Sequence, residues 1–249
     1  MEFMSAFPNG AAIPSKPEAM KSEIGLHSYF KNVGVLVSRP GLNSICQMGV
    51  SIKASGNVSH SHDDVGSFII AFGNEQPLGD PGEPKYYFAD SFGEQRLTRK
   101  FFNSYGYPYT LISGNRQLDA TKIHLQTIKT VFADQQDDFA IDMLGAYNVP
   151  RMKKLIRTMR YNREGSGWVS IEDQYEFSQP ETFEISLTMH GKYISKGAYT
   201  LEFTMGKETL VVEIEASEEV KIVTDSINEN GLEFRRVGVR IKIPYILDF

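Results

Sequence analysis

Along most of the chain, apolar residues recur at every second position. Phe183, Ile185, Leu187 and Met189 alternate with Glu184, Ser186 and Thr188 and stop at His190-Gly191. Leu201, Phe203 and Met205 repeat the rhythm before Gly206-Lys207, and Leu210, Val212 and Ile214 follow. Near the end, Val237, Val239, Ile241 and Ile243 alternate with Gly238, Arg240 and Lys242. The pattern begins at Val33, Val35 and Val37, interleaved with Gly34, Leu36 and Ser38 ahead of Pro40-Gly41. Successive side chains of an extended segment point to opposite faces, so a period of two predicts strands, and the glycine-containing breaks predict tight turns. Helical spacing is scarce. The best candidate is residues 150–158, where Arg151-Met152-Lys153-Lys154-Leu155 is equally compatible with a strand. Without the crossover helices that a parallel sheet needs, the expected fold is all-β: a large antiparallel β-sandwich (super-sandwich) with few short helices.

Residues 1–27, with Pro8, Pro14, Pro17 and Gly10, read as a loose tail or linker remnant, and residues 28–249 as the sandwich domain. No internal repeat, heptad or glycine-rich phosphate loop interrupts it. With 249 residues, 41% hydrophobic and 23% charged, the chain has the makings of a globular core. Its net charge of -5, with basic residues scattered, argues against a nucleic-acid partner. Cys46 is the only cysteine, which excludes an intrachain disulfide and thiolate-rich zinc sites and leaves packing as its expected role. No apolar run approaches the roughly 18 residues of a membrane helix, and no secretory pattern opens the chain. As written it is expected to be cytoplasmic and without a membrane partner, or periplasmic if it is a fragment of a longer exported protein.

The densest chemistry is Ser59-His60-Ser61-His62-Asp63-Asp64, directly before the apolar run Phe68-Ile69-Ile70-Ala71-Phe72. Histidines two apart on an extended segment share a side, so His60 and His62 can face one site. The same spacing is compatible with a solvated turn.

Three stretches carry a resemblance: residues 29–41 (Tyr29-Phe30-Lys31-Asn32-Val33-Gly34 through Pro40-Gly41), His60-Ser61-His62-Asp63-Asp64-Val65-Gly66-Ser67-Phe68, and Asn103-Ser104-Tyr105-Gly106-Tyr107-Pro108. With Leu78-Gly79-Asp80-Pro81-Gly82 and Phe92-Gly93 near Arg96, their order resembles the C-terminal β-sandwich of the heparinase II/III polysaccharide lyases over roughly residues 28–249. The resemblance implies β-elimination on a uronic-acid-containing polysaccharide, glycosaminoglycan-like or alginate-like. It places His60 in or beside the proton-transfer role and makes His62 and Asp80 two ligands of a zinc ion that braces the sandwich. Local spacing alone gives a different reading of Asp80, as a turn residue in Gly79-Asp80-Pro81-Gly82.

Two departures stand out. Related lyases carry histidine, the third zinc ligand, where this chain has Tyr107, and a neutral phenol is a poor ligand. That weakens the expected zinc and leaves Tyr107 as a candidate sugar contact or proton donor. His124 is a candidate substitute ligand, although an ordinary strand histidine is the plainer reading. Family lyases also carry an N-terminal α-toroid that completes the cleft, which makes a separate α-toroid domain an expected partner alongside the acidic polysaccharide. Arg96 suits a substrate carboxylate or sulfate, or equally a surface ion pair with Glu94. Asn57, Asp63 and Asp64 either orient an imidazole or cap a turn. Trp168 is expected in the core, with a sugar platform as the alternative, and Tyr86 and Tyr87 are either sugar contacts or ordinary strand residues. The alternative to a lyase domain is a noncatalytic carbohydrate-binding or interaction module.

Overall fold

The computed structural model describes residues 25–42, 44–55, 62–87, 94–119, 123 and 125–244, together with the backbone only at Glu94. Most of the expected tail therefore lies outside the described residues. Five strands, β1 (His27–Phe30), β2 (Val35–Ser38), β3 (Met48–Lys53), β4 (Phe68–Phe72) and β5 (Glu75–Leu78), form one sheet in that order. After β6 (Thr110–Ile112) come β7 (Gln126–Phe132), β8 (Gln136–Asp142), β9 (Met152–Asn162) and β10 (Trp168–Phe177), a second sheet built as a meander. The strand β11 (Glu181–Met189) precedes a three-stranded sheet of β12 (Lys192–Ser195), β13 (Thr200–Met205) and β14 (Glu208–Glu213). Finally β15 (Lys221–Glu229) and β16 (Leu232–Ile243) join β11 and β6 in the order β15-β16-β11-β6. All the strand pairs are antiparallel, and helix among the described residues is limited to short 3-10 turns. The all-β sandwich expected from the alternation is the fold observed.

The sheets close on one apolar core. Leu36, Val50 and Ile52 of the first sheet meet Phe139, Leu155, Met159 and Tyr161 of the second, with Phe183, Leu201, Phe203 and Val237 from the others. Burying each such side chain stabilises the fold by about 1.5–3 kcal/mol. A smaller cluster of Phe101, Phe102, Ile227, Leu232 and Phe234 lies under the segment that leads to Tyr107.

Three expectations change. Residues 152–158 belong to β9, paired with β8 on one side and β10 on the other, so the helical option is excluded. In β2 the buried positions are Leu36 and Ser38, and Val33 falls in the preceding turn, 39% exposed. Trp168, expected in the core, starts β10 at 46% exposure. Cys46 is fully buried, its thiol 3.5 Å from the Tyr161 hydroxyl.

One inward position of β9 is charged. Arg157 is fully buried between Leu155 and Met159 and lies directly across from Asp173 on β10. Its guanidinium donates to Asp173 Oδ1 (2.7 Å), to Thr110 Oγ1 (2.8 Å) and to the Gly66 carbonyl (2.7 Å). A buried charge is tolerated only when its partners are this complete.

Candidate active site

The end of β3 sets the first wall of the site. Lys53 donates its N–H to the Ser67 carbonyl (3.0 Å) and accepts from Gly66 N–H (2.6 Å), which lays residues 63–67 along the strand. Gly66 has φ +85°, a conformation that strains any other residue, and a Cβ there would press on the end of the Met143 side chain, so the bend favours glycine. Gln117 clamps the same segment, accepting from Val65 N–H (3.1 Å) and donating back to the Val65 carbonyl. The result holds the Asp64 carboxylate on the Lys53 ammonium.

The second wall is the Asn103-Ser104-Tyr105-Gly106-Tyr107 stretch. Asn103 caps the 3-10 turn Ser104–Gly106 by accepting from Tyr105 N–H (2.9 Å) and also donates to the Leu97 carbonyl (2.9 Å). A Cβ on Gly106 would run into the Lys100 carbonyl, and Thr188 Oγ1 donates to the Gly106 carbonyl (2.7 Å). This tight turn sends Tyr107 inward to 1% exposure, where its hydroxyl hydrogen-bonds His62 Nδ1. The His62 ring sits 4.9 Å from Phe102 and 5.7 Å from Tyr107.

The third wall follows the β4–β5 hairpin, whose register slips between Ile70 and Phe72. Gly79 N–H then bonds the Thr188 carbonyl (2.9 Å), tying the hairpin exit to β11. Asp80 accepts from Gly82 N–H (2.6 Å), so the turn role read from local sequence is present. Asp80 also lines, with Lys53, Asp64, Tyr107, Ser51 and Val35, a cavity of about 160 Å³.

Burial dominates the electrostatics. It lowers the His62 pKa from 6.5 to about 4, with the Lys53 and Arg96 charges adding to the effect, so the imidazole is neutral near pH 7. Burial, with a smaller push from nearby Asp80, raises Asp64 from 3.8 to about 6 against the pull of Lys53. Asp80 is pushed up by burial too, opposed by Gly82 N–H and His190. Tyr107 is driven well above the ordinary phenol range by burial and then by Asp80 and Asp64, and stays protonated.

His62, Asp80, Tyr107 and Arg96 are thus brought into one neighbourhood, Arg96 through its charge on His62 and Tyr107. Tyr107 is an interior residue, its hydroxyl engaged by His62. His60, Asn57 and His124 lie outside the described residues, as does the Glu94 side chain. Asp63 is buried, its N–H donating to the Phe102 carbonyl (3.3 Å). Tyr86 and Tyr87 occupy irregular chain rather than a strand, 51% and 45% exposed, and Tyr87 stacks toward Phe102 at 6.5 Å. Sequence reading missed Lys53 and Gln117, which only tertiary pairing connects to the histidine segment.

Zinc is implied by the resemblance, and the donor chemistry here fits it poorly. Tetrahedral zinc sites use three or four thiolate, imidazole or carboxylate ligands. Among the described residues no three His, Cys, Asp or Glu side chains gather in that way. Tyr107 is a protonated phenol committed to His62 Nδ1, and Asp64 already holds an ammonium.

No family model and no curated protein matches the chain by sequence. Solved structures do match by shape. Heparan sulfate lyase HepC from Pedobacter heparinus superposes with a TM-score of 0.70 at 12% identity, over 89% of this chain and 34% of that one. A heparinase III structure gives 0.67 at 12% identity, over 88% and 34%. The chain shares its fold with one part of the heparinase III lyases. It spans about a third of the length of these heparinase III structures, an extent that fits a single C-terminal domain. No described helix is long and apolar enough to cross a membrane.

Proposed function

We propose that the chain is the sandwich domain of a polysaccharide lyase that cleaves a uronic-acid-containing polysaccharide by β-elimination, completed by an α-toroid domain. The observation that supports it most is the convergence of His62, Tyr107, Asp80, Asp64, Lys53 and Arg96 on one site of a sandwich shared with heparan sulfate lyases.

Elimination requires a base to take the C5 proton of the uronate. The C5–H electrons form the C4–C5 double bond, the C4–O bond breaks, and the departing oxygen acquires a proton. The base ends protonated and the acid deprotonated. The carbanion-like charge that gathers on the carboxylate needs fixed positive groups nearby. His60 is the proposed base, since a free imidazole accepts a proton near neutral pH. Arg96 supplies a guanidinium for the substrate carboxylate. Tyr107 positions the His62 ring, and His62, neutral and buried, adds no charge to repel a protonated neighbour.

The test mixes the purified chain, alone and with a separately expressed α-toroid, with heparan sulfate, chondroitin, hyaluronan and alginate. Ultraviolet absorbance of the unsaturated uronate reports turnover. The reading expects turnover only with the toroid and its loss in His60→Ala. A second reading, a carbohydrate-binding module, is favoured by the exposed Tyr86 and Tyr87. Retained binding with no turnover under any combination would select it.

A further inference from the structure

The polar centre contains its own cation. Lys53 reaches Asp64 from β3, and its charge also bears on Asp80 and His62. Its backbone is fixed on both sides, N–H to the Ser67 carbonyl and carbonyl to Gly66 N–H, so the ammonium is delivered by the same strand pairing that shapes the histidine segment. The Lys53 and Asp64 side chains are 20% and 11% exposed, so their pairing offsets much of the cost of burying both charges. Tyr107 lines the same cavity as Lys53, and its hydroxyl hydrogen-bonds His62 Nδ1. One ring nitrogen of His62 is thereby tied by a phenol and the Asp64 carboxylate by an ammonium, while Asp80, the other ligand implied by the resemblance, feels the Lys53 charge.

We propose that Lys53, with the Tyr107–His62 hydrogen bond, braces this end of the sandwich in place of a metal ion, making the fold independent of zinc. A lysine ammonium is a compact charge with three donors, able to hold carboxylate oxygens on more than one side. The inference concerns folding and stands whether or not the chain belongs to a lyase.

The full chain is dialysed against EDTA and then titrated with zinc chloride, with bound zinc measured by atomic emission and unfolding followed by circular dichroism. The expected result is less than about a tenth of a zinc per chain and a Tm that moves by under about 1 °C in either solution. Near-stoichiometric zinc, or a fall of about 5 °C or more in EDTA, overturns the proposal. Lys53→Met is expected to lower Tm by about 5 °C, with no recovery in zinc. An unchanged Tm in that variant also overturns it. Combining Lys53→Met with Tyr107→His frees the carboxylate and supplies an imidazole, and zinc is then expected to raise Tm by several degrees; no response to zinc in a folded double variant counts against the two residues as the metal's replacement. If Lys53→Met does not fold, the wild-type titration decides.

Discussion

Gly66 stands between two buried clusters of charge. Its carbonyl accepts from Arg157, and its N–H donates to the Lys53 carbonyl. On the Arg157 side each part of the guanidinium has a partner: Asp173, Thr110 and Gly66 itself. Burial works against that charge, but the facing Asp173 more than offsets it, and the Arg157 pKa ends higher than usual. On the Lys53 side burial wins instead. Asp64 and Asp80 are pushed up, His62 is pushed down to about 4, and a cavity of about 160 Å³ lies beside them. A saturated ion pair holds two strands together and leaves nothing for a ligand. Groups whose ionisation is frustrated by burial beside a cavity are poised to respond to one, and such groups gather at functional sites, although structural ion pairs perturb ionisation too. The contrast makes the first cluster scaffold alone and the second the candidate site, which also braces its own end of the sandwich.

The sharpest way to break that division is Arg157→Met. It leaves Asp173 buried without its counter-charge, and the expected loss is about 3–5 kcal/mol by urea unfolding, enough to threaten the fold. Pairing it with Asp173→Leu should restore most of the loss, because the isolated carboxylate is then removed as well. A cost below about 1 kcal/mol for Arg157→Met would deny the cluster its scaffold role. Next in size is Tyr107. Tyr107→Ala enlarges the cavity that the buried Tyr107 ring already lines, costing about 3 kcal/mol, whereas Tyr107→Phe removes only the bond to His62 and costs about 1 kcal/mol.

The pH dependence separates the clusters further. Asp64 has a folded pKa of about 6 against 3.8 ordinarily, so its contribution to stability is full below pH 3.8 and is lost as pH rises through about 6. His62 runs the other way. Its folded pKa of about 4 lies below 6.5, so its contribution is present above pH 6.5 and lost as pH falls towards about 4. In the wild type the two trends oppose one another over the same window. His62→Phe should uncover stability that falls as pH rises through that window, and Asp64→Asn the reverse slope. Each is expected to differ from wild type by roughly 3 kcal/mol across the window, read from urea titrations at each pH. Parallel curves for all three proteins would mean that neither group is perturbed.

Much of this architecture was legible in the alternation. The turns at His190-Gly191 and Gly206-Lys207 fall where β11 meets β12 and β13 meets β14. Strand β9 was ambiguous because Arg151, Lys153 and Lys154 break its opening rhythm, yet Leu155, Arg157, Met159 and Tyr161 keep strict period two. A charged residue in phase with buried apolar ones was the available sign that Arg157 points inward. The histidine segment and the Asn103–Tyr107 stretch were legible as a pair through their resemblance to a lyase sandwich, and the fold they implied is the one found. Lys53 carried no such sign. A lysine closing the strand Met48–Lys53 reads as solvated, and its role comes from Asp64, placed there by a bend that needs Gly66 at positive φ. Trp168 misled because its size suggests burial, whereas it opens an edge strand of its sheet.

The smallest expected effect tests how far the site's second wall is a local device. Asn103 is buried and makes two bonds, accepting from Tyr105 N–H and donating to the Leu97 carbonyl. Together they close the turn that carries Gly106 past the Lys100 carbonyl and aims Tyr107 at His62. Asn103→Ala removes both bonds and should cost about 1 kcal/mol, the usual loss for a cap. Asn103→Ser keeps an oxygen for Tyr105 N–H but cannot reach Leu97, so it should recover about half of that. The cost should also shrink when Tyr107 is already phenylalanine, since the turn then has no hydroxyl to deliver. A double-mutant cycle between positions 103 and 107 measures this as a coupling of about 0.5 kcal/mol. Strict additivity would show that the cap stabilises its turn without positioning Tyr107, and a loss in Asn103→Ala as large as in Tyr107→Ala would make the turn itself part of the scaffold, erasing the distinction between the two sides of Gly66.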